Sequence, residues 1–316
     1  MRRALESTTN APRERPAVAV RAARRRSPAR ALLAAMRPRQ WTKNALVLAA
    51  PLAAGALTDP DALAAVALAF VAFSLAASGG YLLNDIWDAE RDRRHPTKRH
   101  RPIAARELSP GAGLAAGIAL LGAGVAVAAA VNVALLLAVT GYSALTYAYT
   151  VRLKRIPILD IATVSSFFAV RAVAGGLAAE VPLSRWFLIV AAFGSLFIVA
   201  GKRASEHLLL GEARASTRPA LAAYSYGYLR NLRTTAASVT LAAYCLWAFE
   251  HAAVTDGPPF AELSVIPFVL FVMRYGMLTE DETEAAPEDL ILGDPGLRVA
   301  GLVWAITFCL DVYAGG

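Results

Sequence analysis

Asn84, Asp85, Asp88 and Asp92 close a long apolar run, inside Tyr81-Leu82-Leu83-Asn84-Asp85-Ile86-Trp87-Asp88-Ala89-Glu90-Arg91-Asp92. At roughly 100° per residue on an α-helix, these four fall within an arc of about 100°, and Glu90 points to the other side. Three carboxylates on one face repel one another unless a cation lies between them. Oxygen ligands of this kind suit Mg²⁺, which commonly takes further oxygens from a substrate's phosphates. The spacing predicts a Mg²⁺-diphosphate site at a membrane surface, with Asp85 and Asp88 at its chemical centre and Asn84 and Asp92 completing the ligand set.

Cations are the natural complement of such a site. Lys98, Arg99 and Arg101 sit in a basic run between Pro96 and Pro102, Tyr149 leads into Lys154 and Arg155, and Lys202, Arg203 and Glu206 end another apolar run. Lys43 stands at the head of the first. Arg forks match phosphate oxygens and Lys supplies a point charge, so the set suits a substrate bearing several phosphates. Asp160 and Arg171 stand close to three turns apart, on one face of a single span. Charges at that depth face a partner or a polar cavity, which leaves both helix pairing and pocket lining open for them.

The elements that must position these residues are membrane helices. Hydrophobic residues make up 57% of the chain and mean hydropathy is +0.46, too apolar for a soluble domain. Apolar runs of about 20 residues lie approximately at 40–57, 61–87, 111–130, 133–150, 158–179, 186–207, 221–249, 263–278 and 296–313. The expected fold is an all-α bundle of nine transmembrane helices. Basic residues crowd the segment before the first span and the second, fourth and sixth loops, whereas the opposite loops offer only Arg185. By the positive-inside rule the N-terminus and the aspartates face the cytoplasm and the C-terminus lies outside.

Residues 1–35 read as a disordered, Arg-rich extension able to meet anionic headgroups, and 36–316 as the transmembrane domain. No apolar core follows the arginines as a secretory signal requires. Cys245 and Cys309 both fall inside spans and suggest neither a disulfide nor a metal site. The expected surroundings are membrane lipids, with no nucleic acid; self-association is left open.

The segment 84–92 resembles the first aspartate-rich motif of the UbiA-type polyprenyl transferase superfamily, a nine-helix intramembrane fold. The resemblance extends over nearly the whole chain after about residue 35 and takes in Arg37-Pro38-Arg39-Gln40-Trp41-Thr42-Lys43-Asn44. Ordinary members carry a second aspartate-rich motif near the end of the sixth span. Here that position reads Lys202-Arg203-Ala204-Ser205-Glu206. With Pro96-Thr97-Lys98-Arg99, Arg101-Pro102-Ile103-Ala104-Ala105 and Pro182-Leu183-Ser184-Arg185-Trp186-Phe187, this is similar to the branch that transfers phosphoribose to decaprenyl phosphate.

That resemblance implies transfer of 5-phosphoribose from phosphoribosyl pyrophosphate to a polyprenyl phosphate, with loss of pyrophosphate, for cell-wall arabinan precursors. Lys43, Lys98, Arg99 and Arg101 would then meet the diphosphate, and Lys154, Arg155, Lys202 and Arg203 the 5-phosphate or the lipid phosphate. Glu206 and Asp160 would accept from ribose hydroxyls. Two other readings stand beside it: a conventional prenyltransferase with a polyprenyl diphosphate donor, and a lipid-phosphate transporter or flippase. The missing second aspartate motif counts against the first. No matching pair of Gly/Pro-broken helices supports the second.

Overall fold

The structure is a computed structural model that describes residues 26–95, 97–211, 218–253, 257–280 and 287–314. Among these the regular structure is helical throughout. The chain runs through α1 (Pro28–Met36), a 3₁₀ segment (Pro38–Leu48), α2 (Ala49–Ala53), α3 (Pro60–Trp87), α4 (Ala89–Arg93), α5 (Pro110–Val131), α6 (Val133–Val151) and α7 (Leu159–Ala178). It continues through α8 (Arg185–Leu210), α9 (Pro219–Ala222), α10 (Tyr226–Ala252), α11 (Phe260–Leu278), α12 (Pro287–Gly293) and α13 (Pro295–Ala314).

Local chemistry marks the long helices. Asp59 caps α3 by accepting from the Asp61 amide, with Pro60 in the first turn; Ser109, Asn132, Ser184 and Ser225 cap α5, α6, α8 and α10 in the same way. Such caps satisfy amides that the first helical turn leaves without partners. Seven helices (α3, α5, α6, α7, α8, α11 and α13) are long and apolar enough to cross a membrane. Their outward faces carry Leu137, Ile266, Met273, Val299 and Leu302, all exposed, as lipid-facing surface requires. The chain is a multi-pass membrane protein.

Two of the nine expected spans take a different form. Around 40–57 the chain is a 3₁₀ segment followed by one short α-helix, because Arg39, Gln40, Thr42, Lys43 and Asn44 break the apolar run. Helix α10 has 27 residues but is not among the seven, since Arg230, Arg233 and Glu250 interrupt it. The expected disordered extension also needs a shorter boundary. Residues 1–25 lie outside the described residues, but Pro28–Met36 is helical, with Pro28 in the first turn. Ala31 and Ala35 of α1 pack with Leu82 and Ile103.

The aspartate run is not one uninterrupted helix either. Asp88, at φ −96° and ψ 3°, ends α3 and opens α4. The joint is slight, because the Asp88 amide still donates to the Asn84 carbonyl (2.9 Å) and the Asp92 amide to the Asp88 carbonyl (2.8 Å). A second contact sets the width of the site: a Cβ at Gly175 would stand 1.6 Å from the Val47 carbonyl oxygen. Glycine thus lets α7 touch the 3₁₀ segment, bringing Arg171 against Asn44.

Candidate active site

A cavity of about 280 Å³ opens between α3, α6, α7 and α8. Arg37, Lys43, Arg171, Lys202, Arg203 and Arg218 line it, and among the described residues no carboxylate does. Tyr142, Tyr149, Phe167 and Phe168 supply much of the rest of the wall. Edge-to-face contacts of 5.3 Å for both Phe73–Tyr142 and Tyr142–Phe167 stiffen that wall. Cations and aromatics together make an interior suited to anions.

The aspartates gather at the edge, where Asn84 lines the cavity. They form two groups around two cations. The Lys154 ammonium lies 2.9 and 2.7 Å from the Asp88 oxygens and 3.4 Å from Asn84 Oδ1. Arg101 donates to Asp85 Oδ1 (3.1 Å) and Asp92 Oδ2 (2.7 Å), and Arg37 also donates to Asp85 Oδ1. Asp85 and Asp92 are buried, and Asp85 Oδ2 has no hydrogen-bond partner. Burial holds the Lys154 ammonium below its ordinary pKa of 10.5 despite Asp88, and burial does the same to Lys98, with Arg101 adding to the effect.

Among the described residues no group of three carboxylate, His or Cys side chains converges as a preformed metal cage. The donor chemistry nonetheless fits Mg²⁺. Asn84 and Asp88 oxygens converge on one positive charge, with an unpaired Asp85 oxygen on the same element. Mg²⁺ commonly uses one or two carboxylates and completes its octahedron with water and substrate phosphate.

The opposite edge is built differently. Arg203, buried at 3% exposure, donates to Asp160 Oδ2 (2.9 Å) and Oδ1 (3.2 Å) and to Glu206 Oε2 (2.8 Å). Asp160, fully buried, also accepts from the Tyr149 hydroxyl at 2.8 Å. Arg218 approaches both carboxylates, at 3.7 Å from Asp160 and 3.4 Å from Glu206. Asp160 and Glu206 therefore face guanidinium groups. Lys202, one residue before the clamp, lines the cavity and has no carboxylate within 4 Å among the described residues.

Of the residues singled out in the sequence, Asn84, Lys43, Tyr149, Arg171, Lys202 and Arg203 line one cavity, with Asp85, Asp88, Asp92, Arg101 and Lys154 at its edge. Lys98 is half-buried in the neighbouring loop; Arg99 and Arg155 are exposed and outside the lining. Sequence reasoning did not assign site roles to Arg37, Arg218, Asn44, Tyr142 or Glu288, whose carboxylate lies 3.4 Å from the Lys43 ammonium. Arg37 had a signal, since it opens the motif that carries Lys43. Glu288, far along the chain, had none.

Comparison with known proteins places this arrangement. The chain is 44% identical over 289 residues to the decaprenyl-phosphate phosphoribosyltransferase of Corynebacterium glutamicum, covering 89% of this chain and 86% of that protein. It is 44% identical over 277 residues to the protein of that name from Mycobacterium tuberculosis, covering 86% and 91%. In fold it is similar to a UbiA homolog from Archaeoglobus fulgidus solved with DMAPP and Mg²⁺, with a TM-score of 0.68 at 18% identity, covering 90% of this chain and 99% of that one. A profile of the UbiA prenyltransferase family matches residues 45–290, and the chain belongs to that family.

Proposed function

We propose that this protein transfers 5-phosphoribose from phosphoribosyl pyrophosphate to decaprenyl phosphate, releasing pyrophosphate, as a step toward arabinan precursors of the cell wall. One observation carries the reading: among the described residues, six cations and no carboxylate line a cavity whose edge bears the aspartates. A prenyl diphosphate donor brings one diphosphate and a long apolar tail. A phosphoribosyl donor brings a diphosphate and a 5-phosphate, and its acceptor adds a third phosphate, which accounts for a cation-lined interior. The names of the relatives at 44% identity point the same way.

In this reading Asn84, Asp85 and Asp88 would hold Mg²⁺, with Asp92 supporting them through the shared Arg101. Bound there, the ion would neutralise charge on the departing pyrophosphate. Lys154 and Arg101, already beside these carboxylates, exchange them for diphosphate oxygens as the donor arrives. An oxygen of the lipid phosphate attacks the anomeric carbon from the side opposite the diphosphate; the C1–O bond breaks with its electron pair on pyrophosphate, and the configuration inverts. The attacking phosphate is already ionised, so no general base is needed. Asp160, Arg203 and Glu206 act as a rigid wall that presents Lys202 to the cavity.

The protein also crosses the membrane nine times, counting the segment around residues 38–53 and α10, with the aspartate end cytoplasmic. Basic loops on one side support that orientation. A cysteine at Thr97 should resist an impermeant reagent applied outside, and one at Glu180 should react; the reverse pattern sinks it. The reaction is tested with purified protein, labelled phosphoribosyl pyrophosphate, decaprenyl phosphate and Mg²⁺. Label should pass to the lipid fraction and pyrophosphate should accumulate. Transfer from decaprenyl diphosphate in place of the phosphoribosyl donor would overturn the reading.

A further inference from the structure

Arg171 lines the cavity roughly 16 Å farther along α7 than Asp160 at 1.5 Å per residue. It is 4% exposed, and each of its hydrogen-bond partners among the described residues is neutral. Nε donates to Asn44 Oδ1 at 2.7 Å, one terminal nitrogen to the Phe167 carbonyl, and the other to the Tyr142 hydroxyl at 2.8 Å. Asn44 is itself held by donating to Ser74 Oγ at 3.0 Å. The guanidinium carbon lies 4.8 Å from the Tyr142 ring centre and 5.9 Å from that of Phe73. No carboxylate lies within 4 Å of Arg171 among the described residues, although Arg37, Lys43, Arg203 and Arg218 each have one.

A buried cation surrounded by neutral groups is costly unless a counter-charge reaches it. An arginine carries five N–H donors. The three bonds described leave one N–H on each terminal nitrogen, the fork that matches two oxygens of one phosphate. Hydrogen bonds to three elements fix the side chain, so the fork is ready before a ligand arrives. Lys202 is the second lining cation without a carboxylate within 4 Å among the described residues.

Direction of attack selects the ligand. If the aspartate edge holds the leaving pyrophosphate, the incoming phosphate must lie on the far side of the anomeric carbon. Arg171 lies deeper than that edge, among Val164, Phe167 and Phe168, which suit an isoprenoid tail better than a hydroxylated sugar. We infer that Arg171, together with Lys202, is the receiving site for the phosphate of the lipid acceptor. This rests on the phosphoribosyl-transfer reading above.

The test uses full-length protein in lipid nanodiscs, with farnesyl phosphate and ribose 5-phosphate as separate binding probes and turnover measured with each substrate varied. Arg171→Gln should weaken farnesyl phosphate binding and raise the lipid KM by about tenfold or more, as loss of a charge-assisted pair implies, while leaving ribose 5-phosphate binding within about twofold. Arg171→Lys, which keeps the charge and loses the fork, should fall between and covers the case in which Gln does not fold. Selective loss of ribose 5-phosphate binding would assign the site to the donor and overturn the inference. So would unchanged lipid-phosphate affinity in both variants. If wild-type protein transfers no phosphoribose at all, the functional reading fails instead, and the farnesyl phosphate arm reports on Arg171 independently.

Discussion

The two edges of the cavity both pair carboxylates with cations, yet the pairs differ in kind. On the α3 side, Asp88 faces the tip of a flexible lysine, and both partners keep some access to solvent, at 15% and 12% side-chain exposure. On the α7–α8 side, Asp160 is completely enclosed and grips a buried arginine through two oxygens. A lysine pair that keeps some access to solvent can be opened by a better ligand at modest cost. A buried bidentate pair cannot, because removing one partner leaves the other charge stranded. One edge is built for exchange and the other to hold shape, although both look alike as charge in the sequence.

The largest effect should come from cutting both edges at a carboxylate. Asp88→Ala should abolish turnover and leave the thermal unfolding of the purified protein nearly unchanged. Asp160→Ala should lower stability by about 3–5 kcal/mol, since it leaves Arg203 buried without its main partner. Unfolding midpoints measured beside turnover would erase the contrast if the two variants proved equally destabilised.

Exchange on the α3 edge makes a second prediction. The Lys154 ammonium lies against Asn84 and Asp88, two of the residues proposed to hold the metal, so Lys154→Ala should raise the affinity for Mn²⁺ without donor by about tenfold, through loss of a competing like charge. Turnover should nevertheless fall, because the diphosphate loses a cationic partner. Titration followed by the Mn²⁺ resonance signal reads the first effect directly. Weaker metal binding in the variant would show that the lysine supports the site and does not compete for it.

Adjacent residues on α8 sharpen the comparison further. Lys202→Ala should reduce kcat/KM by about tenfold or more, as expected for one charge-assisted contact, without loss of stability. Arg203→Ala should reduce stability instead, since its donors serve Asp160 and Glu206. Both residues read as phosphate ligands from sequence alone; the difference is one of side-chain direction. A stable Arg203→Ala protein with impaired kinetics would return Arg203 to substrate binding.

How much was legible follows from what each pattern encodes. Apolar run length located the spans because burial in lipid constrains every residue of a crossing helix. It did not foresee the form of the chain around residues 40–57, a 3₁₀ segment followed by a short α-helix, and it missed Glu288, which reaches Lys43 only through the tertiary fold. The acidic motif located the edge of the site but not the division of its carboxylates between Lys154 and Arg101, since those cations arrive from separate loops. Spacing put Asp160 and Arg171 on one face. Only their partners distinguish a carboxylate clamped by arginine from an arginine held by neutral groups.

The smallest effect belongs to a residue inside the acidic run itself. Glu90 lies between Asp88 and Asp92 in sequence, but its side chain is 80% exposed and its ion-pair partner is Arg93, one turn along α4. Surface pairs of this kind contribute little, because water screens both charges and two long side chains must be ordered to meet. Glu90→Ala should therefore keep turnover within about twofold of wild type and leave Mn²⁺ affinity unchanged, as expected for an exposed pair. The measurement is the same kinetic and metal titration applied to Asp88→Ala, on protein prepared in parallel. Loss of activity comparable to that of Asp88→Ala would mean that total acidity, and not the side facing Lys154 and Arg101, governs the site, and the distinction between exchangeable and structural carboxylates would lose its basis on this edge.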